Sequence, residues 1–533
     1  MRTMRKLFMK TSAAISALLT LPFFLTGCAA SLEDVREAPS DLKLSPFTEV
    51  KTDFVHHWTQ KVHPFSGAAV LDIDGDGKEE IFIGGGEGQE DALLSLKDGE
   101  LRNIIQDTGL SASTATYGAT AMDMNTDGEV DLIIARNDGV YLYLNNSGRF
   151  TAQKLPVQLP DNTVSFTVTV SDIDQDGDGD LYISNFISFN AFKSATFNDP
   201  GHARANVLLR NDGDLQFTDI TQQSGTASLQ NTFLSVFVDL NGDRLQDLVV
   251  AQNTGEVEIF KNLGGGRFES VPTHSGFGFW MGLAVGDIDR DGDQDLFFTN
   301  IGNSIPEFLS SGDLREDQRQ DSEWLLLRNE GDFRFTDMTE PYQLTGYGFA
   351  WGGVFEDINL DGEIDLLVAQ NYIKWPIHKV SKLPGKAFLQ LPTEIGHATG
   401  FFQADALELD NPWFGQSPVI TDLNGDGRPD IVWLNMDGPV RAFLNNADAN
   451  FIALQLPDSP EWLGTEVTIE MDDVRSYTRQ ATSSVGLMTD QSPRLIFGIG
   501  ARESVTRILA RRPDGKSLEL LSPAINTVIS LDE

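Results

Sequence analysis

Cysteine is nearly absent: Cys28 is the only one in 533 residues. A single thiol cannot form a disulfide within the chain, and clusters of thiolate metal ligands are excluded with it. Basic residues are also scarce, 39 Lys and Arg against 79 Asp and Glu, which leaves a formal charge of -40. Phosphate binding needs a basic stripe, so nucleic acid is excluded as a partner. Histidine is limited to His56, His57, His63, His202, His274, His378 and His397, and neither HExxH nor GxSxG occurs. No catalytic residue is therefore assigned.

What is present is acid in a fixed pattern. The stretch "LDIDGDGKEE" from Leu71 recurs as "DMNTDGEVD" from Asp123, "DIDQDGDGD" from Asp172, "DLNGDRLQD" from Asp239, "DIDRDGDQD" from Asp287, "DINLDGEID" from Asp357 and "DLNGDGRPD" from Asp422. The starts of these seven copies are 51, 49, 67, 48, 70 and 65 residues apart, so a constant nucleus carries insertions of different length.

Counting from the first aspartate, positions 1, 3, 5 and 9 are Asp72, Asp74, Asp76 and Glu80; Asp123, Asn125, Asp127 and Asp131; Asp172, Asp174, Asp176 and Asp180; Asp239, Asn241, Asp243 and Asp247; Asp287, Asp289, Asp291 and Asp295; Asp357, Asn359, Asp361 and Asp365; Asp422, Asn424, Asp426 and Asp430. These hard oxygen donors suit Ca2+, which takes six to eight oxygens. Position 7 varies through Lys78, Glu129, Asp178, Leu245, Asp293, Glu363 and Arg428, so its ligand is expected to be the backbone carbonyl. Position 6 is glycine except at Arg244, where a positive φ would carry strain. About seven calcium sites are expected, with a structural role, because protein oxygens fill the coordination sphere.

An EF-hand needs a bidentate glutamate at position 12. Here position 12 is Ile83, Ile134, Ile183, Val250, Phe298, Val368 or Trp433, so that reading fails. Apolar residues at positions 2 and 10 make each loop a turn between two strands. The following "LYLNNSGRF", "VLLRNDGDLQF", "IFKNLGGGRF" and "LLLRNEGDFRF" read as strand, Asn/Gly turn and strand, giving four strands per unit. The expectation is an all-β chain with a seven-bladed β-propeller over 46–450. "FTEV" from Phe47 matches the outer-strand text "FTDIT" and "FTDMT" and is expected to pair in the seventh blade, closing the ring. Residues 451–533 alternate apolar and polar side chains and read as a small antiparallel β domain.

The units resemble FG-GAP (VCBS) repeats, the calcium-loop blades of integrin α-chain propellers. The C-terminal "RLIFGIG" and "RRPDG" resemble an ASPIC/UnbV domain, with Arg512 where that domain has tryptophan and a glycine-rich segment reduced to "SSVG". Together they resemble bacterial members of the cartilage acidic protein family, which implies an extracellular, calcium-binding character.

The start of the chain carries Arg2, Arg5, Lys6 and Lys10 before "TSAAISALLTLPFF", an apolar stretch too short to span a bilayer comfortably. Residues 1–28 read as a signal peptide ending in "LTGC", which resembles the bacterial lipobox and marks Cys28 for lipidation. Residues 29–45 read as a tether. Ala29 in place of aspartate implies the outer membrane, with the lipid as the sole membrane contact.

Three long links lie opposite the acidic turns, at about 186–205, 301–323 and 372–413. They supply Phe189, His202, Tyr372, Lys374, Trp375 and His378 as candidates for contact with a protein or glycan ligand. The function expected is an extracytoplasmic binding or adhesion scaffold. The alternative is a calcium-dependent polysaccharide lyase, whose base would be His202 or His378.

Overall fold

In the computed structural model, residues 37–39, 42–273, 275–371, 383–391, 400–472 and 475–531 are described. Seven strands end on the residue just before position 1 of an acidic loop: Ala68–Leu71, Thr116–Met122, Thr163–Ser171, Asn231–Val238, Leu283–Gly286, Ala350–Glu356 and Gly415–Thr421. They open sheets A to G. Each second strand starts at position 9 of its loop, at Glu80, Asp131, Asp180, Asp247, Asp295, Asp365 and Asp430. Third and fourth strands complete antiparallel four-stranded sheets in A to F. The apolar residues of positions 2 and 10 drive this arrangement, because they can be buried only if the polar loop between them is turned outward. Ile173, Leu240, Ile288, Ile358 and Leu423 are all fully buried.

The strand Thr48–Thr52, here β1, completes sheet G. It pairs antiparallel with Arg441–Leu444, with Thr48 opposite Leu444 and Val50 opposite Ala442. "FTEV" therefore lies where the sequence placed it. The same strand also pairs parallel with Glu100–Asn103 of sheet A, Lys51 opposite Glu100, so the first and last sheets share it.

Hydrogen bonds run from each sheet to the next: Thr120 Oγ1 to Val168 O (2.5 Å), Thr169 Oγ1 to Ser235 O (2.6 Å), Trp280 N to Gln252 O (3.2 Å), Thr299 Oγ1 to Trp351 O (2.5 Å) and Asn371 Nδ2 to Trp413 O (3.3 Å). Gly67 N bonds Thr116 O between A and B (3.1 Å), and Gln416 Nε2 bonds Ser66 O between G and A (2.7 Å). Where first strands meet, the backbones are nearly in contact. A Cβ on Gly118 would stand 2.1 Å from Phe166 O, and one on Gly282 2.5 Å from Trp351 O, so only glycine fits there. Trp280 is fully buried and Trp351 half-buried among Phe65, Phe233 and Phe349, which makes both packing residues.

Three expectations need correction. The link written as 372–413 is interrupted by the third and fourth strands of sheet F, Lys386–Gln390 and Phe401–Gln403. Residues 37–39 and 42–45 of the supposed tether are docked: Ala38 N bonds Gln403 O (2.9 Å), and Leu42 and Leu44 pack on the core of sheets F and G, since apolar side chains at this spacing gain by leaving water. The C-terminal region is not wholly antiparallel. Its strands Glu466–Glu470, Ser476–Gln480, Arg507–Arg511 and Ser517–Leu521 are, but Val528–Ser530 pairs parallel with Asn450–Gln455.

The C-terminal region also sends residues 482–492, "TSSVGLMTDQS", between the first strands. Asp490 N bonds Ala68 O (2.8 Å), Ala121 N bonds Asp490 Oδ2 (2.8 Å), and Ser484 Oγ bonds Val168 O (3.1 Å). Gly486 exchanges both backbone bonds with Leu283 (2.8 and 3.1 Å), and Leu487 N bonds Ser417 Oγ (3.1 Å). At its base Gln480 Oε1 accepts from Asp239 N (2.7 Å), and Arg479 pairs with Glu356 through two bonds of 2.6 and 2.8 Å. One segment with its base thus reaches sheets A to G. Its tip residues Leu487 and Met488 are fully buried in the same core as Phe65 and Trp280.

Candidate metal centre

The acidic loops share three hydrogen bonds. Position 1 accepts at Oδ2 from the backbone N of position 6, from Gly77 (2.9 Å), Gly128 (2.8 Å), Gly177 (2.9 Å), Arg244 (2.6 Å), Gly292 (3.1 Å), Gly362 (2.8 Å) and Gly427 (2.8 Å). Position 5 accepts from the N of position 7 at 2.9 to 3.0 Å throughout. Position 9 accepts from the N of position 2, at 2.9 Å for Asp180 and Asp295 and up to 3.2 Å for Glu80. The bonds orient the carboxylates while leaving lone pairs for a cation, the arrangement of a hard-ion loop.

Two backbone positions make this possible. Position 6 has positive φ throughout, including Arg244 at 69°. Position 4 does too, at Gly75, Thr126 (57°), Gln175 (61°), Gly242, Arg290 (64°), Leu360 (61°) and Gly425, which the sequence did not reveal because four of these residues are not glycine. Arg244 is exposed, so its cost is conformational. Arg244→Gly is expected to stabilise the chain by about 0.5–1 kcal/mol, the left-handed penalty less glycine's entropy; chemical unfolding with and without calcium measures it.

A second set of residues went unrecognised. The third strands place Asn145, Asn211, Asn262, Asn329, Gln390 and Asn445 beside position 9, and the backbone N of each donates to that carboxylate at 2.7 to 3.0 Å. Several side chains also donate to the position-2 carbonyl of the preceding sheet: Asn262 to Ile173 O (3.2 Å), Asn329 to Leu240 O (2.8 Å), Gln390 to Ile288 O (2.7 Å) and Asn445 to Ile358 O (3.0 Å). These amides tie one loop to the next. In sheet A, Ser95 Oγ donates to Glu80 instead (2.8 Å). Asn329→Ala leaves buried carbonyls unpaired and is expected to cost about 1–3 kcal/mol; a loss below that range in denaturant unfolding would mean water replaces the amide.

The loops divide by position 3. Where it is asparagine, its Nδ2 donates to the position-5 carboxylate: Asn125 to Asp127 (2.9 Å), Asn241 to Asp243 (2.9 Å), Asn359 to Asp361 (3.0 Å) and Asn424 to Asp426 (3.1 Å). Aspartate has no proton to give. In those loops Asp72, Asp74 and Glu80; Asp172, Asp174 and Asp180; and Asp287, Asp289 and Asp291 bring oxygens within 4.8 Å of one another. Asp174 Oδ1 and Asp289 Oδ1 are buried without a hydrogen-bond partner. Burial, followed by the neighbouring carboxylates, pushes Asp287 up to about 8; burial, only partly offset by backbone hydrogen bonds, raises Asp180 to about 8 and Asp295 to about 9. Arg328 Nε lies 3.7 Å from the other oxygen of Asp289, but a buried oxygen left without a hydrogen bond among so many like charges is costly unless a further cation sits beside it. The residues present fit calcium. Positions 1, 3, 5 and 9 supply carboxylate and amide oxygens, and the ion would neutralise them and pin the turn.

Among position-7 side chains, Lys78 and Arg428 reach the position-5 carboxylate of their own loops, Asp76 (2.9 Å) and Asp426 (3.3 Å), Arg428 also lies over the Phe451 ring, and Glu363 pairs with Arg290 (2.9 Å).

The partner candidates fare differently. Phe189 packs edge-on against Trp58 and His63. His202 is 1% exposed; its Nε2 accepts from Lys193 N and its Nδ1 pairs with the Asn231 carboxamide (both 3.0 Å). This corrects its expected place at a surface. The links 186–205 and 301–323 lie on each other, with Asp313 accepting from Phe197 N (2.5 Å) and Asn198 bonding Gln318 (2.8 Å), while the imidazole is held by Phe192 and Lys193 of its own link and by Asn231. His56 and His63 are buried too, and burial lowers both to about 4. Tyr372, Lys374, Trp375, His378 and Cys28 lie outside the described residues.

The FG-GAP-like repeat family matches residues 72–134, 123–183, 239–298 and 422–470, and ASPIC and UnbV matches 458–533. The chain is an FG-GAP-like repeat protein with a C-terminal ASPIC/UnbV domain. The FG-GAP matches contain six of the acidic loops, and the loop at Asp357, with the same wiring, falls between them. Cartilage acidic protein 1 of Homo sapiens is 22% identical over 506 residues, covering 87% of this chain and 71% of the relative. The Mus musculus protein is 24% identical over 561 residues, covering 97% and 80%. Among solved structures, BBS1N in complex with ARL6DN aligns with a TM-score of 0.40 at 10% identity, over 76% of this chain and 99% of that one. Rhamnogalacturonan lyase YesW aligns with 0.38 at 11% identity, over 75% and 76%.

Proposed function

We propose that this FG-GAP protein is a calcium-stabilised binding scaffold: sheets A to G are the blades of one closed seven-bladed propeller, each acidic loop holds a calcium ion, and a protein or glycan is bound outside the cytoplasm. The observation that carries the calcium reading is the pair of buried, partnerless oxygens on Asp174 and Asp289. Binding is assigned to the face opposite the acidic loops, because the ASPIC/UnbV domain bonds to the loops on the other face. Phe192, Phe308 and Leu309 stand exposed there on the crossed links, the apolar contacts a partner would cover. Lipid on Cys28 holds the scaffold to the outer membrane in this reading.

Calorimetric titration of calcium into chelator-stripped chain, followed by a glycan and surface-protein screen, tests the assignment. Uptake of about seven ions and a ligand lost in Phe308→Ala/Leu309→Ala support it. A flat titration, or a ligand indifferent to that variant, refutes the corresponding half. Mass spectrometry of the membrane fraction decides the anchor, since unmodified Cys28 would remove it.

A further inference from the structure

The ASPIC/UnbV domain holds atoms of every acidic loop. Arg494 pairs with Asp422 and donates to Gly77 O (2.8 Å), Asp458 O accepts from Asp123 N (2.7 Å), and Pro513 O accepts from Gln175 Nε2 (3.2 Å). Gln480 accepts from Asp239 N (2.7 Å), the Arg290 guanidinium lies 5.6 Å over the Tyr477 ring, and Gly500 N donates to Leu360 O (2.9 Å). Most of these partners are backbone groups or side chains at positions 1, 4 and 6, the positions whose conformation a bound ion would fix. Between this domain and the sheets lies a cavity of about 120 Å³ whose lining mixes the charged Asp458, Asp490, Arg479 and Arg494 with apolar side chains such as Val70 and Val285. The sheets are held by strand ladders and apolar cores, and the segment joins one of those cores only through Val485, Leu487 and Met488.

We propose that the ASPIC/UnbV domain is a calcium-responsive stopper. With the loops loaded, it is seated and residues 482–492 fill the space between the first strands. With the loops emptied, carboxylate repulsion moves the groups that hold it, and the segment withdraws while the sheets stay paired. The inference rests on the calcium reading and adds that the ions control access to the axis.

Hydrogen exchange followed by mass spectrometry on the full chain, at saturating calcium and after chelation, tests it. The amides of Gly486, Leu487 and Asp490, which donate to sheets E, G and A, are expected to exchange at least ~10-fold faster after chelation. The strand Asp180–Ile187 is expected to keep its protection. Calcium uptake with unchanged protection of 482–492 overturns the stopper alone, as does simultaneous loss from segment and strand. No uptake overturns the calcium reading and the stopper with it. Arg494→Met, which removes two of the contacts, is expected to raise several-fold the calcium concentration at which 482–492 becomes protected; an unshifted midpoint in a folded variant also overturns the proposal.

Discussion

Removing calcium at pH 8 is expected to lower the melting temperature by on the order of 10 °C. A site at one hundred times its dissociation constant adds about 2.7 kcal/mol, so the three loops with aspartate at position 3 alone supply about 8 kcal/mol. The effect fades toward pH 5, and its sign follows from the carboxylates. Without metal, Asp180 and Asp287 titrate at about 8 and Asp295 at about 9 in the folded chain, against about 4 when unfolded. Between those limits the folded state holds more protons, so metal-free stability falls as pH rises through the window. Calcium requires the deprotonated ligands, so its contribution grows over the same range. Calorimetric scans with calcium or chelator at both pH values check this. An equal chelator effect at pH 5 and pH 8 would separate the ions from these carboxylates.

Arg136→Met is expected to cost about 3–5 kcal/mol, the penalty for stranding a buried charge. Arg136 Nη1 lies 2.8 Å from Asp91 Oδ2, and the two side chains are 2% and 0% exposed. Thr116 and Tyr143 hold the guanidinium, while Gly85 N and Thr116 Oγ1 donate to the Asp91 carboxylate (2.8 and 3.0 Å). Burial raises the Asp91 pKa even with Arg136 beside it, so the carboxylate depends on its partner to stay charged. Asp91→Asn with Arg136→Met keeps the acceptor for Gly85 and removes the charge, and is expected to recover at least half the loss. Denaturant unfolding of both variants is the measurement, and a single variant within about 0.5 kcal/mol of the parent would place the pair in contact with water.

The loops were legible because their chemistry is local. Oxygen ligands at alternate positions, a glycine at position 6 and an apolar residue on each side lie within ten residues, and the strands meet the loops where that pattern breaks. The ties between loops were not legible, since the asparagine of "RNDG" or "RNEG" reads as a turn former and its second role depends on a neighbouring sheet. Position 4 was hidden because Thr126, Gln175, Arg290 and Leu360 adopt a glycine-like backbone without glycine's signature. His202 looked available because its link is long and polar; that link folds back to set Phe192 and Lys193 against the ring, and Asn231 of the next first strand completes the enclosure. The segment "SSVG" looked like a motif worn away, yet Ser483, Ser484 and Gly486 all bond first strands. Contacts across hundreds of residues leave no periodicity to read.

Sharing β1 between the first and last sheets also governs how the chain assembles in time. Thr48 waits for Leu444, which is made roughly 20–80 s later at 5–20 residues per second. Until then Arg441–Leu444 does not exist, so β1, even once paired with Glu100–Asn103, keeps its edge at Thr48–Val50 bare, of the kind that seeds strand-to-strand aggregation. Residues 482–492 come later still. A chain delivered N-terminus first therefore completes its core only at its end, and truncated products would present unfinished edges, making them substrates for chaperones and proteases rather than smaller working versions of the protein.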